Sequence, residues 1–307
     1  MVNYDEAINF LYTQLPMFQR MGANAYKPGL DTSIALDKAF GNPHSRFPSI
    51  HIAGTNGKGS TAHTLAAILQ SAGYKVGLYT SPHLVDFRER IRINGEMISH
   101  SAVVDFVNRY RALQLDCQPS FFELTMTMAF EYFAKEKIDI AVIETGLGGR
   151  LDSTNIISPI LSIITNISFD HTAFLGDTLT AIASEKAGII KSDSLVLTSL
   201  QGEQVMNMIK KCCAKQQAEL NLVNFSEIHD VKVTECKTIF TYQKEIYELS
   251  VSGKYQAYNA SIAISAIQLL RQKGLVNLED KEVKAGLRKI SWPGRFEKVK
   301  ENPLCFI

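Results

Sequence analysis

Residues 49–61 place a short apolar run, Ile50, Ile52 and Ala53, directly before the glycine-rich turn Gly54-Thr55-Asn56-Gly57-Lys58-Gly59-Ser60. Residues 62–72 then carry small and apolar side chains with no breaker. A strand, a glycine-rich turn with one lysine and a helix, in that order, form the setting a phosphate-binding loop requires. Glycines let backbone N–H groups approach an anion, the helix N-terminus adds a favourable dipole, and Lys58 supplies a point charge for the outer phosphates. The usual pattern has Ser or Thr directly after the lysine, where its hydroxyl holds the metal. Here that position is Gly59 and the hydroxyl comes one residue later at Ser60, so the metal ligands must come from elsewhere.

Strands and helices alternate around this unit. Residues 3–15 and 32–40 have helical apolar spacing, ended by Pro16 and by Gly41-Asn42-Pro43. Residues 75–80, 139–143, 160–165 and 194–198 read as strands, and 101–115 (with Ser101 as cap), 121–137, 178–187 and 203–217 as helices. A small hairpin is predicted over 90–98 around Asn94-Gly95. The near-continuous apolar runs suit strands buried on both faces of a parallel sheet. The fold class is therefore α/β, a mainly parallel sheet flanked by helices. From about 220 to 252 the pattern shifts to short alternating segments, which predict a small appended antiparallel sheet; 258–270 and 279–290 return to helix.

The 307 residues carry a net charge of +1, which gives no electrostatic case for a nucleic-acid or membrane partner. The five cysteines are scattered without a CxxC pair, the pattern of reduced thiols rather than of a disulfide framework or zinc site. With no apolar run of transmembrane length and no signal pattern at the N-terminus, the expectation is a cytoplasmic monomer acting on small molecules.

Magnesium prefers oxygen ligands. Polar groups follow three apolar strands at the edge where open parallel sheets bind ligands: Ser81, Glu144 and the pair Asp170-His171. Glu144 has the clearest case, because an acid ending a buried strand beside a phosphate loop is the usual partner of a magnesium–nucleotide. Taken bare, His171 reads sooner as a satisfied loop histidine, and Lys186 as a snorkelling lysine at an apolar helix end. Gly146-Leu147-Gly148-Gly149 has the wrong glycine spacing for a dinucleotide fingerprint, which counts against a dehydrogenase.

Taken together, the strings 53–60, Tyr79-Thr80-Ser81-Pro82-His83-Leu84, Arg88-Glu89-Arg90-Ile91-Arg92, 144–152, Asp170-His171, 185–191 and Trp292-Pro293-Gly294-Arg295 closely resemble the folylpolyglutamate synthase and dihydrofolate synthase family of the Mur ligase superfamily. The resemblance runs in order over nearly the whole chain. It implies a Mur-ligase central domain over 1–298 that binds ATP through Gly54, Thr55, Asn56, Gly57, Lys58, Gly59 and Ser60, with Asn259 and Arg295 also on the nucleotide. It implies magnesium on Ser81 and Glu144 and a second ion on His171 and on Lys186 as a carbamate. Lys58, His171 and Lys186 would be the catalytic groups. Substrate contacts would fall near Gly29, Leu30, Pro82, His83, Phe122, Thr125, Leu151, Asp152 and Ser153. The implied reaction joins L-glutamate to dihydropteroate or to a reduced folate such as tetrahydrofolate through an acyl phosphate, and Arg150-Leu151-Asp152 resembles the bifunctional form.

In that family the strand matching 304–307 feeds a C-terminal α/β domain, so residues 299–307 are expected to begin such a domain and the chain to be a truncated, weakly active synthase. Two other readings are a cell-wall Mur-type amino-acid ligase, disfavoured by the lack of a sugar-nucleotide domain before the phosphate loop, and a nucleotide-binding module or ATPase without ligation.

Overall fold

The computed structural model describes residues 2–16, 29–292, 294, 298–300 and 305–306. The phosphate-loop unit is β1 (Ser49–Ala53) followed by α3 (Lys58–Ser71). Among the described residues it is preceded by the helices α1 (Tyr4–Thr13), capped by Asn3, and α2 (Asp31–Ala39). After it come β2 (Val76–Tyr79), the hairpin β3 (Ile91–Ile93) and β4 (Glu96–Met97), α4 (His100–Leu113), α5 (Phe121–Lys135) and β5 (Ile140–Glu144). Next are β6 (Leu161–Ile164), the single turn α6 (Thr172–Leu175), α7 (Leu179–Ala187), β7 (Leu195–Ser199), α8 (Glu203–Gln216) and β8 (Glu219–Val223). The chain continues through β9 (Ile228–Val233), β10 (Thr238–Tyr242), β11 (Glu245–Leu249), α9 (Lys254–Gln272) and α10 (Asp280–Leu287). Two short strands, β12 (Lys298–Lys300) and β13 (Cys305–Phe306), pair antiparallel at the end.

Eight strands form one sheet in the order β4-β3-β2-β5-β1-β6-β7-β8. From β2 to β8 every neighbour is parallel, while β3 and β4 add an antiparallel edge. Strand alternation divides the core between the two faces. Ile50, Ile52, Ile140 and Val142 pack with α3, α9 and α10, whereas Ala141 and Ile143 pack with α1, α2, α4 and α5. A third apolar cluster joins β6 and β7 to α7 and α8.

The chain leaving β1 crosses toward β2, and the chain leaving β6 crosses the other way toward β7. Adjacent strands whose connections diverge leave a crevice at their carboxyl ends, where open α/β sheets bind ligands. The phosphate loop occupies that crevice: Thr55 N–H donates to the Asn166 carbonyl at 2.8 Å, just past β6.

Two expectations change. Residues 219–223 belong to the main sheet, parallel to β7, so the antiparallel sheet is only β9–β11. As an edge strand, β8 is half exposed and its polar alternation mimics a hairpin strand. The cap of α4 is Ser99, whose hydroxyl accepts the Ala102 N–H at 3.1 Å, not Ser101. Among the described residues no helix is long and apolar enough to cross a membrane.

Candidate active site

The first bond of α3 runs from Thr61 N–H to the Gly57 carbonyl at 2.9 Å, so the N–H groups of Lys58, Gly59 and Ser60 precede any intrahelical acceptor. Gly57 has φ +82°, and a β-carbon there would collide with the Asn259 amide. Gly54 has φ +150°, and a β-carbon on it would run into the Thr165 hydroxyl. That hydroxyl donates to the Asn56 carbonyl at 2.6 Å, and the Asn166 side chain accepts the Asn56 N–H at 2.7 Å. The loop is thus clamped by residues following β6.

Gly59, where the common pattern has a hydroxyl, lies under the indole of Trp292, which fills the space a β-carbon would take. Glu144 Oε2 would stand only 3.4 Å from that β-carbon. The Trp292 ring in turn stacks on His63, one turn along α3, at 4.6 Å between centroids. Glu144, 5% exposed at the end of β5, accepts the Ser81 backbone N–H at 3.1 Å, and both residues line the same cleft. Glu144 and Ser81 are therefore in contact beside Gly59, where the loop lacks a hydroxyl.

The cleft has a volume of about 560 Å³. Beyond the loop, Ser81, Pro82 and Glu144, its wall includes Tyr255, Tyr258 and Asn259 from α9, together with Phe225 and Trp292. In sequence the two tyrosines show only as aromatic residues three apart before a helical stretch; the fold leaves both about half exposed at the cleft. Arg295 and Pro293 lie outside the described residues.

Two lysines converge on one acceptor. Lys58 Nζ donates to the Gly54 carbonyl at 2.9 Å and to the Thr55 carbonyl at 3.3 Å. Lys186 Nζ, from α7 on the far side of the loop, donates to the same Gly54 carbonyl at 2.9 Å. Lys186 is 2% exposed, and burial, reinforced by the Lys58 charge, pulls its pKa down to about 8 against the opposing pull of Asp170 and Asp152. A lysine only snorkelling would keep its ammonium in water, so that reading falls. His171 caps α6 with φ 47° and lies 3.6 Å from Asp170, itself within electrostatic reach of Lys186.

Of the expected substrate residues, Pro82 lines the cleft just described, His83 follows β2, Phe122 and Thr125 lie on α5, and Leu151, Asp152 and Ser153 follow β5. Phe122 packs over Gly146, where a β-carbon would meet its ring at 2.6 Å. The Thr125 hydroxyl donates back to the Phe121 carbonyl at 2.7 Å. His83 Nδ1 accepts from Arg90 Nε at 2.7 Å, which leaves Nε2–H to donate to Tyr12 Oη at 3.1 Å. Burial and then the Arg90 charge lower the His83 pKa. Asp152 is buried, and its Oδ2 accepts the N–H groups of Gly146 and Leu147, each at 2.8 Å. Its Oδ1 accepts the Thr154 N–H at 3.0 Å and the Thr154 hydroxyl, so this carboxylate is occupied in shaping its own loop. Leu151 and Ser153 flank it half buried, and Gly29 and Leu30 precede α2.

A glycine cradle at a helix N-terminus, a converging lysine, and a carboxylate with a hydroxyl suit a magnesium-bound triphosphate, since hard oxygen donors fit that ion and phosphates complete its shell. Among the described residues no three His, Cys, Asp or Glu side chains gather as a metal cage of their own.

Residues 52–267 match the Mur ligase middle domain. The fold and cleft accordingly define an ATP-dependent, amide-forming ligase. A dihydrofolate synthase/folylpolyglutamate synthase of Bacillus subtilis is 37% identical over 299 residues, covering 92% of this chain and 68% of that protein. A solved FPGS–AMPPCP–folate complex has a TM-score of 0.89 at 32% identity, covering 100% of this chain and 76% of its own. Mycobacterium tuberculosis folylpolyglutamate synthase, solved with ADP and AMPPCP, gives 0.84 at 31%, covering 99% and 70%. The chain belongs to the folylpolyglutamate synthase/dihydrofolate synthase family.

Proposed function

We propose that the protein uses ATP to join L-glutamate to the carboxyl group of dihydropteroate or of a reduced folate, with residues 1–298 as the ATP-binding unit. The observation that carries this reading is the meeting of Glu144 and Ser81 beside Gly59, at the mouth of a loop on which Lys58 and Lys186 converge. The reaction follows from the chemistry of the carboxylate, which is a poor acylating agent. Its oxygen attacks the terminal phosphorus of ATP, ADP leaves, and an acyl phosphate results. The glutamate nitrogen then attacks the acyl carbon and phosphate departs.

In this reading the N–H groups at the start of α3 hold the phosphates, and Lys58 moves from the Gly54 carbonyl to the transferred phosphoryl group, where charge accumulates. Asn259 steadies the loop against Gly57, and Arg295 joins it on the nucleotide. Ser81 and Glu144 hold one magnesium ion, and His171 with Lys186 holds a second. Bound magnesium would neutralise phosphate charge. Carbamylation of Lys186 needs a neutral amine; at a pKa of about 8 roughly a tenth of the side chain is neutral at pH 7, against roughly three in ten thousand at its ordinary value. Gly29, Leu30, Pro82, His83, Phe122, Thr125, Leu151 and Ser153 surround the acyl substrate, and Asp152 shapes that wall.

The test is ADP release in the presence of magnesium and glutamate. Release that depends on dihydropteroate or tetrahydrofolate, with the glutamylated product found by mass spectrometry, is expected. Release independent of any acyl substrate would mark an ATPase, and dependence on a nucleotide-sugar acid would mark a cell-wall ligase.

A further inference from the structure

His51 is the only ionisable side chain in β1. It is fully buried in the central part of the sheet, on the face opposite Ile50 and Ile52, and the ligation chemistry makes no use of it. Its Nε2 lies 2.8 Å from Thr154 Oγ1. The Thr154 hydroxyl proton is already given to Asp152 Oδ1, so Thr154 can only accept from His51, and the imidazole carries its hydrogen on Nε2. His51 Nδ1, left as an acceptor, is buried without a hydrogen-bond partner, and burial, with the nearby Lys191 charge, lowers the pKa of the ring to about 3, so the side chain is neutral. Beyond Thr154 the line continues through Asp152, whose other oxygen takes the N–H groups of Gly146 and Leu147. Those two amides begin the loop directly after Glu144 and Thr145. The relay thus runs from the strand that ends in the phosphate loop to the loop that shapes the acyl-substrate wall.

We propose that His51 is a positioning residue: acting through Thr154 and Asp152, it fixes the loop 145–153 so that the acyl substrate is held against the phosphate site. An apolar side chain would fill this place in β1 without a desolvated ring nitrogen, but it could not orient the Thr154 hydroxyl toward Asp152. The inference rests on the ligase reading for its substrate, while the relay itself is measurable without turnover.

The experiment compares wild type with His51→Leu, His51→Gln and Thr154→Val. It reads amide hydrogen exchange of the segment containing Gly146 and Leu147, the Kd of ATP, and the KM of dihydropteroate or tetrahydrofolate. His51→Leu is expected to speed exchange in that segment and to raise the KM of the acyl substrate by about tenfold, with the ATP Kd unchanged. Gln carries an amide N–H in place of the imidazole Nε2–H, so His51→Gln restores both readouts. Thr154→Val repeats the His51→Leu phenotype, and the double variant adds little to either. Unchanged exchange in His51→Leu, Gln behaving as Leu, or a parallel loss of ATP affinity would overturn the relay. Should His51→Leu fail to fold, Thr154→Val against Thr154→Ser decides on the same readouts. If wild type does not ligate, the ligase reading fails, and the exchange rates still decide whether His51 fixes the loop.

Discussion

Two glycine-rich loops leave neighbouring strands at the same edge of the sheet, with Ile52 of β1 in register with Glu144 of β5. In the loop after β1, the amides at the start of α3 have no acceptor within the helix, and the lysines rest on loop carbonyls. In the loop after β5, the Asp152 carboxylate already occupies the amides of Gly146 and Leu147. Both segments contain Gly-x-Gly; in only the second does a carboxylate of the chain itself take up the loop amides. Glycine content lets a backbone approach an anion, and what decides function is whether the chain itself supplies that anion.

That contrast can be broken most sharply at the open loop. Glu144→Ala and Ser81→Ala should each lower magnesium-dependent ATP use by about 100- to 1000-fold, read as initial rates across a magnesium titration. A larger loss from Ser60→Ala than from either would show that the loop uses its own hydroxyl after all. The closed loop should answer in stability instead. Asp152→Ala leaves two buried amides and the Thr154 hydroxyl without their acceptor, so a loss of about 3 kcal/mol in urea unfolding is expected. An unchanged midpoint would mean that the loop does not depend on its internal anion.

A third test separates the two loops by pH. Unfolded His51 takes up a proton below about 6.5, whereas the folded side chain does so only near 3. The unfolded state therefore binds more protons as pH falls below 6.5, and this contribution to stability is full above that value and lost progressively toward 3. At pH 5 the loss is about 2 kcal/mol. Comparing urea midpoints at pH 7 and pH 5 for wild type and His51→Gln isolates it, because the variant keeps the His83 contribution, which has the same sign. Equal losses in the two proteins would remove His51 as the source. The smallest effect expected is that of Ser60→Ala, within about threefold in ATP use, because Ser60 serves through its backbone N–H.

Much of this was legible in the sequence. The apolar runs at 139–143 and 160–165 announced strands buried on both faces, and residues 50–61 announced a strand, a glycine-rich turn and a helix, because each depends on local pattern alone. The pattern of β8 does not show which sheet it joins, because one half-exposed strand looks like another until its partner is known. Asp152 could be quoted as part of a motif, but whether its carboxylate faced a substrate or its own loop was a matter of which N–H groups came within reach.

By itself, the sequence determined the alternation of elements, the phosphate loop and the oxygen donors at strand ends, since these follow from side-chain period and from glycine and lysine at fixed spacing. Only the tertiary structure decided why Gly59 is glycine: Trp292, more than two hundred residues later, lies over it, and Glu144 from a neighbouring strand comes beside it. It also decided the state of Lys186. A lysine near the end of an apolar helix has an ordinary pKa in water; burial against the Gly54 carbonyl and beside the Lys58 charge makes its ammonium costly and brings the neutral amine within reach of neutral pH.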